Sequence, residues 1–174
     1  MTPRGTRRRP MVDRGGSPGT AVPPKRVLVI HGPNLNLLGE REPEIYGRDT
    51  LAAIDGRLRE LARELGVEVE SFQSNSEGAI IDRIQQARGR VHALIINPAG
   101  YTHSSIAIRD AVLALAVPSI EVHLSNVYRR EPMRHASVFA DVVTGRIMGV
   151  GAEGYSLALR AASSLMSASE SSAD

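Results

Sequence analysis

From about residue 26 onward, this chain alternates between unbroken apolar runs and apolar residues spaced three or four apart. Val27-Leu28-Val29-Ile30 is a run of the kind a strand buried on both faces requires. Leu51, Ile54, Leu58, Leu61 and Leu65 recur at helical spacing, which predicts one apolar helix face ended by Gly66. Val67 to Phe72 then alternates as a half-exposed edge strand does. Ile80, Ile81, Ile84 and Ala87 mark a second helix closed by Gly89, and Val91 to Ile96 reads as another buried strand. Ser104–Leu115 predicts a third helix whose small Ala107, Ala111 and Ala114 favour close packing. Ser119–Leu124 predicts a fourth strand, Asp141–Ile147 a fifth and Tyr155–Leu165 a last helix. Strict β-α alternation over five strands predicts an α/β domain with a parallel sheet and helices on both faces. The edge character of the second strand favours the flavodoxin-like order 2-1-3-4-5.

One connection breaks the economy of this pattern. Between the first strand and the first helix lies His31-Gly32-Pro33-Asn34-Leu35-Asn36-Leu37-Leu38-Gly39-Glu40-Arg41-Glu42-Pro43-Glu44-Ile45-Tyr46-Gly47. A strand-to-helix connection usually needs about two to six residues. Overlong loops in compact domains are commonly lids or binding loops, so Arg41 and Tyr46 become candidates for chemistry. The structural alternative is a surface excursion packed over Leu35, Leu37 and Leu38.

Charge divides the chain. Residues 1–25 carry six basic residues (Arg4, Arg7, Arg8, Arg9, Arg14 and Lys25) against the single acid Asp13. The remaining residues carry fifteen basic and eighteen acidic side chains, so the folded part is mildly acidic and offers no nucleic-acid surface. The leader is rich in Pro, Gly, Ser and Thr, which predicts disorder, and lacks the apolar segment of a secretory signal or membrane span. The expected organisation is a basic leader over 1–25, one domain over 26–166 and a frayed tail over 167–174. No cysteine is present, which removes disulfides, thiolate metal sites and thiol nucleophiles and makes the cytoplasm the default compartment.

Ligands of an open parallel sheet bind outside the carboxyl ends of its strands. In this sequence those ends read His31–Asn34, Gln73-Ser74-Asn75, Asn97-Pro98-Ala99-Gly100-Tyr101-Thr102-His103 and His123-Leu124-Ser125-Asn126. All four are rich in hydrogen-bonding groups, although Asn and Ser also serve as caps and turn residues. Glu121 and His123 fall on the same side of the fourth strand. There a carboxylate fixes the imidazole tautomer and raises its basicity, the arrangement of a general acid or base. Metal binding is the weaker reading, since His103 and His123 have no obvious third ligand. Of Arg129, Arg130 and Arg134, one beside a binding edge is placed to clamp an anion, while such runs usually face solvent.

Taken together, HGPNLNLLGEREPEIYG, SNSEGAIIDRIQQA, NPAGYTHSSIAIRDA and EVHLSN followed by REPMRHAS resemble type II 3-dehydroquinate dehydratase, a shikimate-pathway family. The similarity runs in order from about Arg26 to Leu165, with Ser76 standing where the family often has His. It implies the flavodoxin-like fold and a homododecamer built as a tetramer of trimers; together with the composition, the expectation is a cytoplasmic enzyme with no cofactor, metal, nucleic acid or membrane partner. It further implies Tyr46 as proton acceptor, His123 as proton donor, and Arg41 as the cation that stabilises ionised tyrosine. Asn34 would hold an ordered water near the developing enolate. Asn97, His103 and Arg134 would bind 3-dehydroquinate, and the backbone amides of Leu124 and Ser125 would take its carboxylate. Asp110 would belong to the surroundings of the substrate at a subunit boundary.

The implied anti elimination has physical requirements that these residue types meet. Tyrosine ionises near pH 10, so a phenolate working near pH 7 needs about 4 kcal/mol of preferential stabilisation. Burial alone shifts a phenol the wrong way, so a nearby cation is required, and Arg41 lies on the same loop. The chain has one lysine, Lys25, at the edge of the expected disordered leader. That leaves no residue for the Schiff-base chemistry of the unrelated type I route, nor for a signalling receiver on the same fold. A flavin or nucleotide module is disfavoured because no phosphate-binding glycine motif follows the first strand.

Overall fold

The computed structural model describes residues 23–40 and 49–171. Its first strand, β1 (Lys25–His31), is followed by α1 (Leu51–Leu65), β2 (Val67–Gln73), α2 (Glu77–Ala87) and β3 (Ala93–Asn97). Then come α3 (Ile106–Leu115), β4 (Ser119–His123), β5 (Gly145–Met148) and α4 (Glu153–Ser171). The strands form one sheet in the order β2-β1-β3-β4-β5, every pair parallel, as the alternation predicts.

The apolar pattern decides which helix covers which face. Val27 and Val29 of β1 join Ile95, Ile120 and Val122 beneath Ile54 and Leu58 of α1 and Leu159 of α4. Leu28 and Ile30 point the other way and pack with Leu94, Ile96, Ile80, Ile84 and Ile108 under α2 and α3. Both faces of β1 are therefore closed, and Val27, Leu28, Val29 and Ile30 have no exposure. Helix ends follow local chemistry. Thr50, Ser76 and Ser105 each accept a hydrogen bond from the amide three residues on, and Gly66 ends α1 at a φ of 68°.

Several boundaries move from their expected places. The sheet begins at Lys25, inside the expected leader, because its backbone pairs with Val67 and its Nζ donates to the carbonyl of Met166. α3 starts at Ile106 rather than Ser104, since Ala99–His103 coil into a 3-10 turn first. Its buried face uses Ile108, Ala111, Val112 and Leu115, whereas Ala107 and Ala114 face outward. β5 begins at Gly145, because the amides of Val142 and Val143 turn back to the Phe139 carbonyl. α4 carries on to Ser171, beyond Leu165 and into the expected tail, with no Gly or Pro to stop it. Among the described residues, no helix is long and apolar enough to cross a membrane.

Candidate active site

The three central strands end on polar residues, His31, Asn97 and His123. β1 and β3 are drawn together there: the Gly32 amide donates to the Asn97 carbonyl at 2.8 Å. A Cβ on Gly32 would stand 2.5 Å from the Pro98 oxygen and 2.9 Å from that of Asn97. Glycine is therefore a steric requirement of this approach.

Above these ends lies a cleft of about 320 Å³, near the lower end of the range for small-molecule sites. Asn34, Asn97, His103, His123, Leu124, Ser125 and Arg134 all line it. Residues separated by up to a hundred positions in sequence thus converge because the strands that carry them are parallel neighbours.

His123 is the most constrained of them. Its Nε2 lies 2.6 Å from Oε1 of Glu121, two residues earlier on the same strand. Ser137 Oγ donates to this carboxylate, 3.0 Å from each oxygen, and Arg146 Nε stands 2.8 Å from Oε2. Burial of Glu121 disfavours its charge, but the bond and charge of His123, the Arg146 charge and the Ser137 hydroxyl outweigh burial. They hold the carboxyl below its ordinary range. With Glu121 ionised, Nε2 carries the hydrogen of the shared bond, which leaves Nδ1 as the ring nitrogen outside this pair.

The other lining groups are held for hydrogen bonding. Asn97 Oδ1 accepts from the Ala99 amide at 3.1 Å, which orients its amide. His103 Nδ1 lies 2.7 Å from the Ala136 carbonyl, so it donates there and Nε2 is left as an acceptor. Arg134 Nε is 3.1 Å from Glu131, in a solvent-facing pair that an anionic ligand is able to replace. The carbonyls of His123 and Leu124 accept from the amides of Gly149 and Gly151, which pins the turn bearing Leu124 and Ser125. Among the described residues, no group of three His, Asp or Glu side chains gathers as a metal site.

Some candidates lie elsewhere. Arg41 and Tyr46 are outside the described residues. Asp110 sits on α3, paired with Arg109 at 3.2 Å and largely exposed, away from this chain's cleft. Gln73 and Asn75 do not line the cleft. They brace its wall, Asn75 Oδ1 accepting from the Asn34 amide and Gln73 Nε2 donating to the Gly32 carbonyl. His31 is wholly buried beneath the site, with Nδ1 2.8 Å from the Tyr155 hydroxyl and Nε2 3.1 Å from Asp55. Burial pushes the Tyr155 phenol up, against a hydrogen bond from Asn97. Sequence reading also passed over Ser137, which lies in a patternless loop. It passed over Arg146 too, a lone charge in a strand whose partner only the register reveals.

The Dehydroquinase class II family model matches residues 25–163. The 3-dehydroquinate dehydratase of Desulforudis audaxviator is 61% identical over 142 residues, 82% of this chain and 95% of that protein. Catabolic 3-dehydroquinase 1 of Aspergillus terreus is 57% identical over 136 residues, 78% of this chain and 90% of that protein. Among solved structures, type II dehydroquinase from Propionibacterium acnes superposes with a TM-score of 0.77 at 48% identity. The match covers 80% of this chain and 97% of that one. The chain belongs to the class II dehydroquinase family, the hydro-lyases of type II 3-dehydroquinate dehydratase kind.

Proposed function

We propose that this chain converts 3-dehydroquinate to 3-dehydroshikimate by an anti elimination carried out by Tyr46 and His123, within a domain spanning about residues 26–166. Tyr46 takes the C2 proton, and the electron pair is held as an enolate. His123 then gives a proton to the C1 hydroxyl, the carbon–oxygen bond breaks and water departs. Arg41 supplies the positive charge that lets a phenol ionise near pH 7. Asn34 holds the water beside the enolate oxygen. Asn97, His103, Arg134 and the amides of Leu124 and Ser125 hold the substrate.

The observation that carries this reading is the placement of His123. It lines the cleft while its far ring nitrogen is held by a wholly buried, ionised carboxylate. Such a pair stabilises the imidazolium that donates the proton and fixes its direction. The test is the appearance of the conjugated product when purified protein meets 3-dehydroquinate.

The same reading makes the enzyme a cytoplasmic homododecamer, a tetramer of trimers, with Asp110 serving at a subunit boundary. The outward face of α3 supports association there. Ile106 and Leu113 flank Asp110 and are 55% and 57% exposed, a poor use of large apolar side chains on a surface left to water.

A further inference from the structure

Behind the His123–Glu121 pair lies a charge that the elimination itself does not use. Arg146 stands directly opposite Glu121 in the register of β4 and β5. Glu121 is wholly buried, and the Arg146 side chain is 18% exposed. Their contact is one of charge rather than alignment. Nε lies 2.8 Å from Oε2, yet Nε and Nη2 have no hydrogen-bond partner among the described residues. The orientation of the carboxylate is set instead by His123 and Ser137. Arg146 does not line the cleft.

The electrostatics at Glu121 change during turnover. While His123 is an imidazolium, two cations answer the buried carboxylate. Once His123 has passed its proton to the departing hydroxyl, one remains. A buried carboxylate with no cation is strongly disfavoured and draws a proton to itself or to its neighbour. We propose that Arg146 is a positioning residue that acts through Glu121 on His123, its permanent charge answering the carboxylate while the imidazole is neutral, so that the imidazolium lets its proton go. Among the described residues, His123 and Arg146 are the cations that act on the Glu121 charge. β3 presents Ile96 opposite Glu121, and Arg109 of α3 turns to Asp141. His103, Arg130, Glu131 and Arg134 line the cleft together with His123.

This inference rests on His123 as the proton donor, and its test separates the two. Ring signals of His123 in the full chain, assigned by their loss in His123→Gln, are titrated by nuclear magnetic resonance. Arg146→Gln should raise the His123 midpoint by about one pH unit relative to the unsubstituted protein. Arg146→Lys should recover most of that shift. In turnover, Arg146→Gln should lower kcat about tenfold with KM within twofold, and the activity limb governed by His123 should move with the resonance midpoint. Should Arg146→Gln fail to fold, Arg146→Met takes its place, with the same rise expected. In a Glu121→Gln background, where the carboxylate charge is gone, removing the cation should move the midpoint little. An unchanged midpoint on loss of the cation with Glu121 present, or an equal rise without it, overturns the proposal. Absence of any dehydration by the unsubstituted chain would overturn the functional reading alone, because the titration is read without substrate.

Discussion

Glu121 Oε1 lies 2.6 Å from His123 Nε2, with the carboxylate fully buried and the imidazole at the cleft. Glu121→Gln keeps an oxygen at that place but removes its charge. A hydrogen bond to a charged group is worth about 1.5–3 kcal/mol, so kcat should fall roughly ten- to a hundredfold. His123→Ala should slow water loss more than exchange of the C2 proton with solvent. Deuterium incorporation into recovered substrate, followed by mass spectrometry beside product formation, measures both. Equal loss of both would remove His123 from the hydroxyl side of the reaction.

The same carboxylate gives stability a pH dependence with a definite sign. Glu121 is held below its ordinary value of 4.5, and Asp55 below its ordinary 3.8, where the bond to His31 and other partners outweighs burial. A carboxyl depressed in the folded state contributes fully above its unfolded value and loses that contribution as pH falls through the folded one. Urea unfolding should therefore weaken progressively below about pH 4.5. Glu121→Gln should flatten that slope, and an unaltered slope would show that Glu121 is not depressed.

At Gly32 the prediction is steric. In Gly32→Ala the new methyl meets the backbone oxygens of Pro98 and Asn97, so the ends of β1 and β3 must part. Asn97 moves with them. The loss should appear in kcat/KM, by at least about tenfold, or roughly 1.4 kcal/mol. Steady-state kinetics on folded variant decides it.

Tyr46 and Arg41 are expected to act as one unit. Tyr46→Phe should remove nearly all turnover while substrate affinity, measured by calorimetry, stays within a few-fold. Arg41→Ala should cost about 3–4 kcal/mol of transition-state stabilisation, several hundredfold in rate. It should also move the pH limb governed by Tyr46 upward, with Arg41→Lys recovering only part of the rate. A slower enzyme with an unmoved profile would make Arg41 a substrate or loop anchor.

The fold was legible because aliphatic residues do most of the specifying. The run of β1, the helical stripe of α1 and the alternation of β2 each admit one period, and together they lead to the observed strand order. The cleft was legible for a related reason: strand ends in a parallel sheet share one edge, so Asn97, His103 and His123 had to converge. What the sequence hid depends on contacts without a period. Ser137 reaches Glu121 from an irregular loop, and Arg146 meets it only through the β4–β5 register. Gln73 and Asn75 looked like ligand groups but are spent on backbone, a choice that polar residues at turns do not disclose. Ala107, Ala111 and Ala114 were expected to favour close packing; within this chain the apolar row of Ile108, Val112 and Leu115 turns α3 so that Ala111 is buried while Ala107 and Ala114 face out.

The most direct measurement is the ultraviolet absorbance of purified protein mixed with 3-dehydroquinate, because dehydration places a new double bond in conjugation with the carbonyl. The expected result is a steady rise in absorbance, proportional to enzyme and abolished in both Tyr46→Phe and His123→Ala. Folded, unsubstituted protein that leaves the absorbance flat, or a rise that survives both substitutions, would contradict the assignment of this chemistry to this cleft.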